Sequence, residues 1–439
     1  MNLTAERLAE RLESLGAVSK KRFIVAFSGG LDSTVLLHLL STMDSDADLL
    51  AVHINHGLHP AADSWQAHCD SFCQSRNIAF IARSVDVDGS NGLGVEAAAR
   101  EARYSAFRAM VEPGDCLLSA HHRDDQAETL LLNLMRSSGP LGLSAILPVR
   151  EFGAGHLCRP LLGESRESLL EYARQNELSW VEDPSNLDTE FDRNFLRQMV
   201  LPTFEARWPD VASRLSRSSE LMAEASDLLD ALAAIDLEGA GGQAERLSVE
   251  ALQALDDARR RNLLRYCMRS VGLSFPGRKR LGTINDCVLE AKPDRTPLVE
   301  WPGGEARRYR GFLYLMPAQS EMPGSSISIP GDADHVPAGP GLGTLRFTRV
   351  AGEGISPELL GNGLEIRFRQ GGESLQTGDM TRKLKKLLQD AGIVPWMRDR
   401  IPLLYSGERL VAVADLWMDS SGVEEPGVEI RWENHPALY

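Results

Sequence analysis

Between Phe23 and Leu147 four short apolar runs, Ile24–Phe27, Leu49–Ile54, Phe80–Val85 and Cys116–Ala120, alternate with amphipathic segments such as "ADSWQAHCDSFCQSRN" and "VEAAAREARYSAFRAMV". Short runs of this kind suit strands buried on both faces, and the longer periodic segments suit helices that cover them. The alternation leaves few architectures: a parallel sheet with helices on both sides, whose ligands collect at the carboxyl ends of the strands. The first run leads directly into such a place. In "FIVAFSGGLDSTVLLHLL" the strand breaks at Ser28-Gly29-Gly30-Leu31-Asp32-Ser33-Thr34, and Val35, Leu36, Leu37, Leu39 and Leu40 follow at helical spacing. Small side chains there let several backbone N–H groups converge at a helix N-terminus, which makes a nest for phosphate.

With 439 residues the chain exceeds one ordinary core, and 43% hydrophobic residues supply material for several. No apolar run approaches the ~20 residues needed to span a bilayer. The N-terminal "MNLTAERLAERLESLG" reads as a charged amphipathic helix without a signal-peptide core. The expectation is a cytoplasmic protein with no membrane partner. Of six cysteines only Cys69 and Cys73 are close, and no second pair completes a metal site, so two buried thiols on one helix face is the better reading. A net charge of −15 argues against indiscriminate nucleic-acid binding, although local basic patches on an acidic body remain compatible with it.

Composition divides the chain further. The expected organisation is a catalytic α/β domain over 1–215, a mainly helical domain over 216–315, a Pro-, Gly- and Ser-rich linker over 316–344, and a small α+β domain over 345–439. Basic residues concentrate in the last two-fifths, at Arg259, Arg260 and Arg261, at Arg278, Lys279 and Arg280, and between Arg382 and Arg400. The last stretch holds Arg382, Lys383, Lys385, Lys386, Arg398 and Arg400 against Asp390 and Asp399, with Trp396 among them. Such patches suit a structured RNA read by shape and phosphate, although a solvated helix face also accounts for four of the cations.

No lysine follows the glycines of the first motif, so it is not a Walker loop, and no GxGxxG is present in it. Ser28-Gly29-Gly30-Leu31-Asp32-Ser33 resembles the PP-loop of the N-type ATP pyrophosphatases, which cleave ATP between its α- and β-phosphates. The resemblance implies an adenine nucleotide α-hydrolase-like fold. The amides of Gly29, Gly30, Leu31, Asp32 and Ser33, with the Ser28 and Ser33 hydroxyls, suit a leaving pyrophosphate. Asp32 repels phosphate unless a cation intervenes, so its natural role is to hold Mg2+.

Four further segments carry polar chemistry. "AVHINHGLHPAAD" brings three histidines, but without an acidic partner nearby their spacing argues weakly for zinc. "GLGVEAAAREARY" places Glu96, Arg100 and Arg103 on one helical face, a pattern that a solvated ion-pair face also explains. In "LLSAHHRDDQAETLLLNLMR" Asp125 and Glu128 share a helix face near its N-terminus. The helix dipole favours them there, but beside a phosphate site two carboxylates call for a cation, whether an ammonium or a metal. "EDPSNLDTEFDRNFLRQMVLP" starts a helix with Arg193 and Arg197 four residues apart.

Taken together these segments resemble the tRNA(Ile)-lysidine synthases, a branch of the PP-loop enzymes. The shared elements are HxNHxL at His53, Asn55 and His56, GxExxARxxRY at Glu96, Arg100 and Arg103, AHHxDDQAET at Asp125 and Glu128, and DxSNxD…RNxxR at Arg193 and Arg197. The C-terminal "RFRQGGESLQ" and "RKLKKLLQDAGIVPWMRDRIPLL" look like the RNA-binding tail of the longer members. The resemblance implies that His53 and Asn55 wall the nucleotide pocket, that Arg100 and Arg103 present forks to phosphates of RNA or ATP, and that Asp125 and Glu128 hold substrate lysine. It also implies that Arg193 and Arg197 neutralise charge on the α-phosphate and that Arg260, Arg382, Lys383, Lys385, Lys386 and Arg398 bind tRNA. Asp124 stands beside Asp125, and the sequence leaves their roles exchangeable.

The reaction so implied adenylates the wobble cytidine of the CAU anticodon of tRNA(Ile), then attaches L-lysine at C2 to give lysidine, consuming ATP with Mg2+. No obligatory protein partner is expected, and an oligomer is compatible with the chain. A PP-loop tRNA thiolase would want catalytic or cluster-binding cysteines, which the Cys69/Cys73 pair does not supply. An amidotransferase would want an ammonia source. An ATP-gated RNA-binding protein without chemistry would not need Asp32, Asp125, Glu128 and Arg197 together.

Overall fold

A computed structural model describes residues 3–17, 21–87, 95–291, 297–322, 324, 326–378 and 380–438, which pack as two compact units, 1–229 and 230–439. The side chains of Glu96 and Arg278 lie outside the described residues.

The first unit is built on a six-stranded sheet. In chain order its strands are β1 (Arg22–Ala26), β2 (Asp48–Asn55), β3 (Ala79–Ser84), β4 (Asp115–Leu118), β5 (Val149–Phe152) and β6 (Gly155–Cys158). Their spatial order is β3-β2-β1-β4-β6-β5, and every pair is parallel except β5 with β6. The four strands expected from the sequence each fall within two residues of their anticipated ends. The β5–β6 hairpin is an addition, folded from the Pro- and Gly-punctuated stretch that follows the last of them.

Both faces of the sheet are covered, which is why β1 is apolar without alternation. Phe23, Val25 and Phe27 pack with α2 (Leu31–Thr42) and with Leu169 and Tyr172 of the helix Arg166–Gln175. Ile24, Val52, Leu117 and Leu157 face the other way, against Phe107 of α4 (Val95–Arg108). α1 (Ala5–Ser14) contributes buried Leu8 and Leu12 to the first of these layers, and α3 (Ala62–Gln74) contributes Cys69, Phe72 and Cys73. α5 (Arg123–Met135) follows β4. Reversal of strand order between β1 and β4 opens a crevice at their carboxyl ends, where a doubly wound sheet takes its ligands.

The second unit carries two cores. In the first, helices Val249–Ala254, Asp257–Ser270 and Gly277–Thr283 pack against a four-stranded antiparallel sheet of Arg246–Ser248, Phe312–Met316, Gly304–Tyr309 and Leu298–Trp301, so the region read as helical also holds a sheet. In the second, two five-stranded sheets enclose helix Leu384–Asp390. Strands Ile327–Ile329 and His335–Pro337, from the stretch read as a linker, pair with Leu364–Arg367 and Thr344–Val350 of these sheets. No helix among the described residues is long and apolar enough to cross a membrane.

Candidate active site

The turn after β1 depends on a position only glycine can occupy. Gly29 has φ of +81°, and a Cβ there would stand 2.7 Å from Cys69 Sγ. Its carbonyl accepts a hydrogen bond from Val181 N–H at 2.8 Å, which fixes the loop from the far side. Ser28 and Ser33 Oγ are 3.0 Å apart, Ser33 Oγ–H is 3.0 Å from Gly30 O, and Ser28 Oγ accepts from Gly30 N–H at 3.3 Å. Gly30 is the N-cap of α2 and has no side chain to offer, so the first-turn amides keep no side-chain acceptor. Asp32 lies in that first turn. Its Oδ1 is buried with no hydrogen-bond partner, and its Oδ2 is 3.6 Å from His122 Nε2.

His122 gathers the acids. Its side chain is fully buried and stands 3.5 Å from Asp124, 3.5 Å from Asp125 and 3.6 Å from Asp32. Burial opposes a charge on the imidazole, but the three carboxylates outweigh it and raise its pKa to about 10. His121, one residue earlier, goes the other way. Burial pushes it down to about 3 despite Asp125, and Arg159, Arg193 and Arg100 push in the same direction. Adjacent histidines are therefore held in opposite charge states, one an imidazolium and one a neutral ring whose Nδ1 lies 2.9 Å from Ser119 Oγ.

Asp124 and Asp125 separate in space. Asp124 accepts from the Arg166 amide at 3.0 Å, closing the start of the helix Arg166–Gln175, and this bond together with His122 holds it at about 2 against the cost of burial. Asp125 turns to the arginines. Its Oδ2 accepts from the His122 amide at 3.0 Å, and its Oδ1 is 3.4 Å from Arg197 and 3.9 Å from Arg193. Glu128 is fully buried and holds both guanidinium groups, with Arg193 Nε at 2.9 Å and Arg197 Nε at 2.6 Å. Arg193 precedes, and Arg197 lies within, a π-turn, Leu196–Val200, in an otherwise α-helical run from Asp192 to Arg207. Pro202 lacks an N–H and crowds the carbonyl four residues back, which favours the wider turn just ahead of it.

Three family models match the chain. Residues 2–204 match the PP-loop domain, 247–314 the TilS substrate binding domain and 364–432 the TilS substrate C-terminal domain. The tRNA(Ile)-lysidine synthase of Alkalilimnicola ehrlichii is 42% identical, over 99% of this chain and 98% of its own. Those of Serratia proteamaculans (41%, over 97% and 98%) and Coxiella burnetii (40%, over 98% and 96%) are similarly close. The chain belongs to the tRNA(Ile)-lysidine synthase family.

Set in that family, the remaining residues singled out in the sequence fall into two groups. Some are tied into the fold. His53 is buried, burial pushes its pKa down, and its Nδ1–H donates to Phe27 O at 3.0 Å. Asn55 donates to Asp63 and Gln66 of α3 and accepts from the Gly57 amide. Arg260 donates to Leu252 O at 3.3 Å and pairs with Asp257. Arg398 donates to Ile393 O at 2.9 Å and to Tyr309 Oη at 2.7 Å. Others present their charge outward: Arg382 and Lys383 on strand Met380–Lys383, and Lys385 and Lys386 on the helix Leu384–Asp390, are all exposed. Arg100 and Arg103 lie over the Tyr104 ring, with guanidinium carbons 5.1 and 5.9 Å from its centroid. Trp396 packs edge-on against Tyr314 and Tyr309.

Three residues of the site were not singled out. His121 and His122 were readable in part, since they immediately precede a helix whose first turn holds two aspartates. Arg159, just past β6, is 5% exposed and carried no signal beyond its place after an apolar run.

Proposed function

We propose that this protein forms lysidine at the wobble cytidine of the CAU anticodon of tRNA(Ile), switching its reading from AUG to AUA. As a PP-loop family member it is an ATP-using ligase. The observation that carries the reading is the meeting of a phosphate-ready loop with a buried, acid-rich cluster: Asp32 on the loop and Asp125 on α5 share one imidazolium, His122.

The amides of Gly29 to Ser33 and the Ser28 and Ser33 hydroxyls receive the pyrophosphate end of ATP. The cytidine C2 oxygen attacks the α-phosphorus, the bond to the β-phosphate breaks, and pyrophosphate leaves on the loop. The lysine side-chain amine then attacks C2, and AMP departs with the oxygen. Asp125 makes only the longer contacts to Arg193 and Arg197, so it is the carboxylate with capacity to spare for an incoming ammonium, while Glu128 keeps the two arginines in place. Those guanidinium groups then stand where charge on the α-phosphate is neutralised. His122, as an imidazolium, keeps three carboxylates tolerable in one buried place before any substrate cation arrives.

Mg2+ fits Asp32. Its orphaned Oδ1 is the acceptor a hard cation would use, and among the described residues no cluster of three acidic, His or Cys side chains forms a cage of its own, so the metal would be shared with ATP phosphates. When bound it supplies charge neutralisation to the leaving pyrophosphate. tRNA docking falls to the exposed cations of Arg382, Lys383, Lys385 and Lys386, and the natural compartment is the cytoplasm, without an obligatory protein partner.

The test is AMP release from ATP with free lysine and an unmodified CAU-anticodon tRNA(Ile) transcript, supplied together and separately. AMP formed only with all three, with labelled lysine recovered on the tRNA, is the expected result, and Asp32→Ala abolishes it. Indifference to lysine, or a requirement for a sulfur donor, sinks the lysidine reading and leaves the PP-loop assignment standing.

A further inference from the structure

One cluster of charge in the first unit takes no part in the reaction as described. Arg159 is the first residue past the carboxyl end of β6, and it is 95% buried by its 5% relative exposure. Its Nη1 donates to Leu147 O at 2.6 Å, but its Nε is buried without any partner. Around it the ring of Tyr104 collects further guanidinium groups. Arg100 lies 5.1 Å and Arg150 5.5 Å from the ring centroid. The strongest influences on Arg159 and Tyr104 are burial, each other and further arginines, and no carboxylate of the described residues stands among them. Elsewhere among the described residues of this unit a buried charge has an opposite charge beside it, as Asp115 has Arg22 and Glu128 has Arg197. Like charges gathered at a buried guanidinium are costly unless an anion joins them.

We infer that Arg159, Arg150 and Arg100, arranged around Tyr104, bind a phosphate group, and that it is a backbone phosphodiester of the RNA substrate beside the cytidine delivered to the site. Three guanidinium forks match phosphate oxygens better than point charges would. Position decides between RNA and ATP as the source. Leu118 of β4 and Cys158 of β6 are paired in register, and Ser119 N–H donates to Cys158 O at 3.1 Å, so Arg159 opens onto the same carboxyl edge as His121 and the phosphate loop. The loop, however, follows β1. β6 lies two strands away, about 10 Å across the sheet at the usual spacing. His53 and Asn55 lie on the opposite flank, at the end of β2. With ATP over the loop and its nucleoside towards β2, the β6 flank is left to the second substrate. This inference rests on the reading proposed above for that site.

The experiment uses the full chain with two probes, a CAU-anticodon stem-loop RNA and ATP, each titrated alone across a salt series. Arg150→Gln and Arg159→Gln are made together with Arg159→Lys, and thermal melting reports whether each is folded. The expected result is a rise of about 10-fold in Kd for the RNA in Arg150→Gln, and more in Arg159→Gln. The slope of log affinity against log salt becomes shallower by about 0.7 for each phosphate no longer neutralised, while ATP affinity does not change. Arg159→Lys keeps the charge but loses the fork, and recovers only part of the affinity. Loss of ATP affinity with RNA binding intact assigns the phosphate to the nucleotide and overturns the inference. Unchanged affinity for both probes in folded variants also overturns it, because the arginines are then only packing. Should Arg159→Gln fail to fold, Arg150→Gln, an exposed position, decides alone. A wild-type protein that binds the stem-loop with this salt slope but attaches no lysine refutes the reaction proposed above and leaves the phosphate site intact.

Discussion

The acid-rich cluster of the first unit and the cation patch of the second manage charge in opposite ways. Around His122 every acid is buried or half-buried and has a partner of opposite sign: Asp124 and Asp125 the imidazolium, Glu128 two arginines. Around helix Leu384–Asp390 the cations are exposed, and only Leu384, Leu387 and Leu388 beneath them are buried. The difference follows from the task. Bond making needs groups fixed to within tenths of an ångström, and a low dielectric strengthens their interactions, so each charge requires a compensating one. Docking a phosphate backbone needs only a field of the right sign and counterions to release. Removing one charge should therefore wreck the first cluster and only erode the second.

The sharpest break in this contrast is Glu128→Gln. It leaves Arg193 and Arg197 facing a neutral amide in a buried place, which costs about 3–5 kcal/mol of stability by the usual figure for breaking a buried ion pair. Lysine transfer should fall below detection even where the protein is folded, as monitored by urea midpoint and labelled lysine on tRNA. An unchanged midpoint would mean that water, rather than Glu128, balances the arginines. The second break is by pH. The folded pKa of His122, about 10, lies above its ordinary 6.5, so the stability it contributes is fully present below pH 6.5 and is lost as pH rises towards 10. Metal-free protein should lose about 4–5 kcal/mol across that window, and His122→Gln should flatten the loss. Equal pH slopes in both proteins would place the imidazolium elsewhere.

How much of this was legible in advance depended on how local the signal was. The parallel strands and the loop at Ser28–Ser33 declare themselves within a few residues, because apolar runs, two glycines and a helical repeat are adjacent. The sheet of the middle region did not. Its hairpin turns through Arg310 and Gly311, both at positive φ, and an Arg-Gly pair is a far weaker turn signal than Asn-Gly. The site was readable as a set of residue types but not as pairings. Asp124 and Asp125 are told apart by the Arg166 amide, 42 residues away, and by Arg197, 72 residues away. Likewise, whether an arginine such as Arg398 meets RNA or is tied into the fold is decided in part by Tyr309, 89 residues away, which no local pattern brings near.

Within the second unit the expected effects are smaller and fall on binding. Replacing Arg382, Lys383, Lys385 and Lys386 together by Gln should raise the Kd for tRNA about 10- to 100-fold and make its salt dependence shallower by up to ~0.9 for each phosphate left without its cation. Stability should stay within about 0.5 kcal/mol of the parent, because no buried partner is left behind. ATP affinity should not move. A loss of ATP affinity in this variant would mean that the patch acts on the catalytic unit rather than on RNA.

The finest test compares two arginines that a sequence count treats alike. Arg382 is exposed on its strand, whereas Arg398 is half-buried with its Nε on Ile393 O and its Nη2 on Tyr309 Oη. Arg398→Ala removes two hydrogen bonds and leaves a carbonyl and a hydroxyl short of a donor, so it should lower the stability of the second unit by about 1–3 kcal/mol. Arg382→Ala should leave stability unchanged and weaken tRNA binding about 2- to 5-fold, the worth of one phosphate contact at moderate salt. Urea titration and tRNA binding on both variants separate the roles. If Arg398→Ala keeps its midpoint and loses tRNA affinity, its bonds to Ile393 and Tyr309 are only a resting place for a phosphate ligand, and the line between structural and docking cations in this unit must be redrawn.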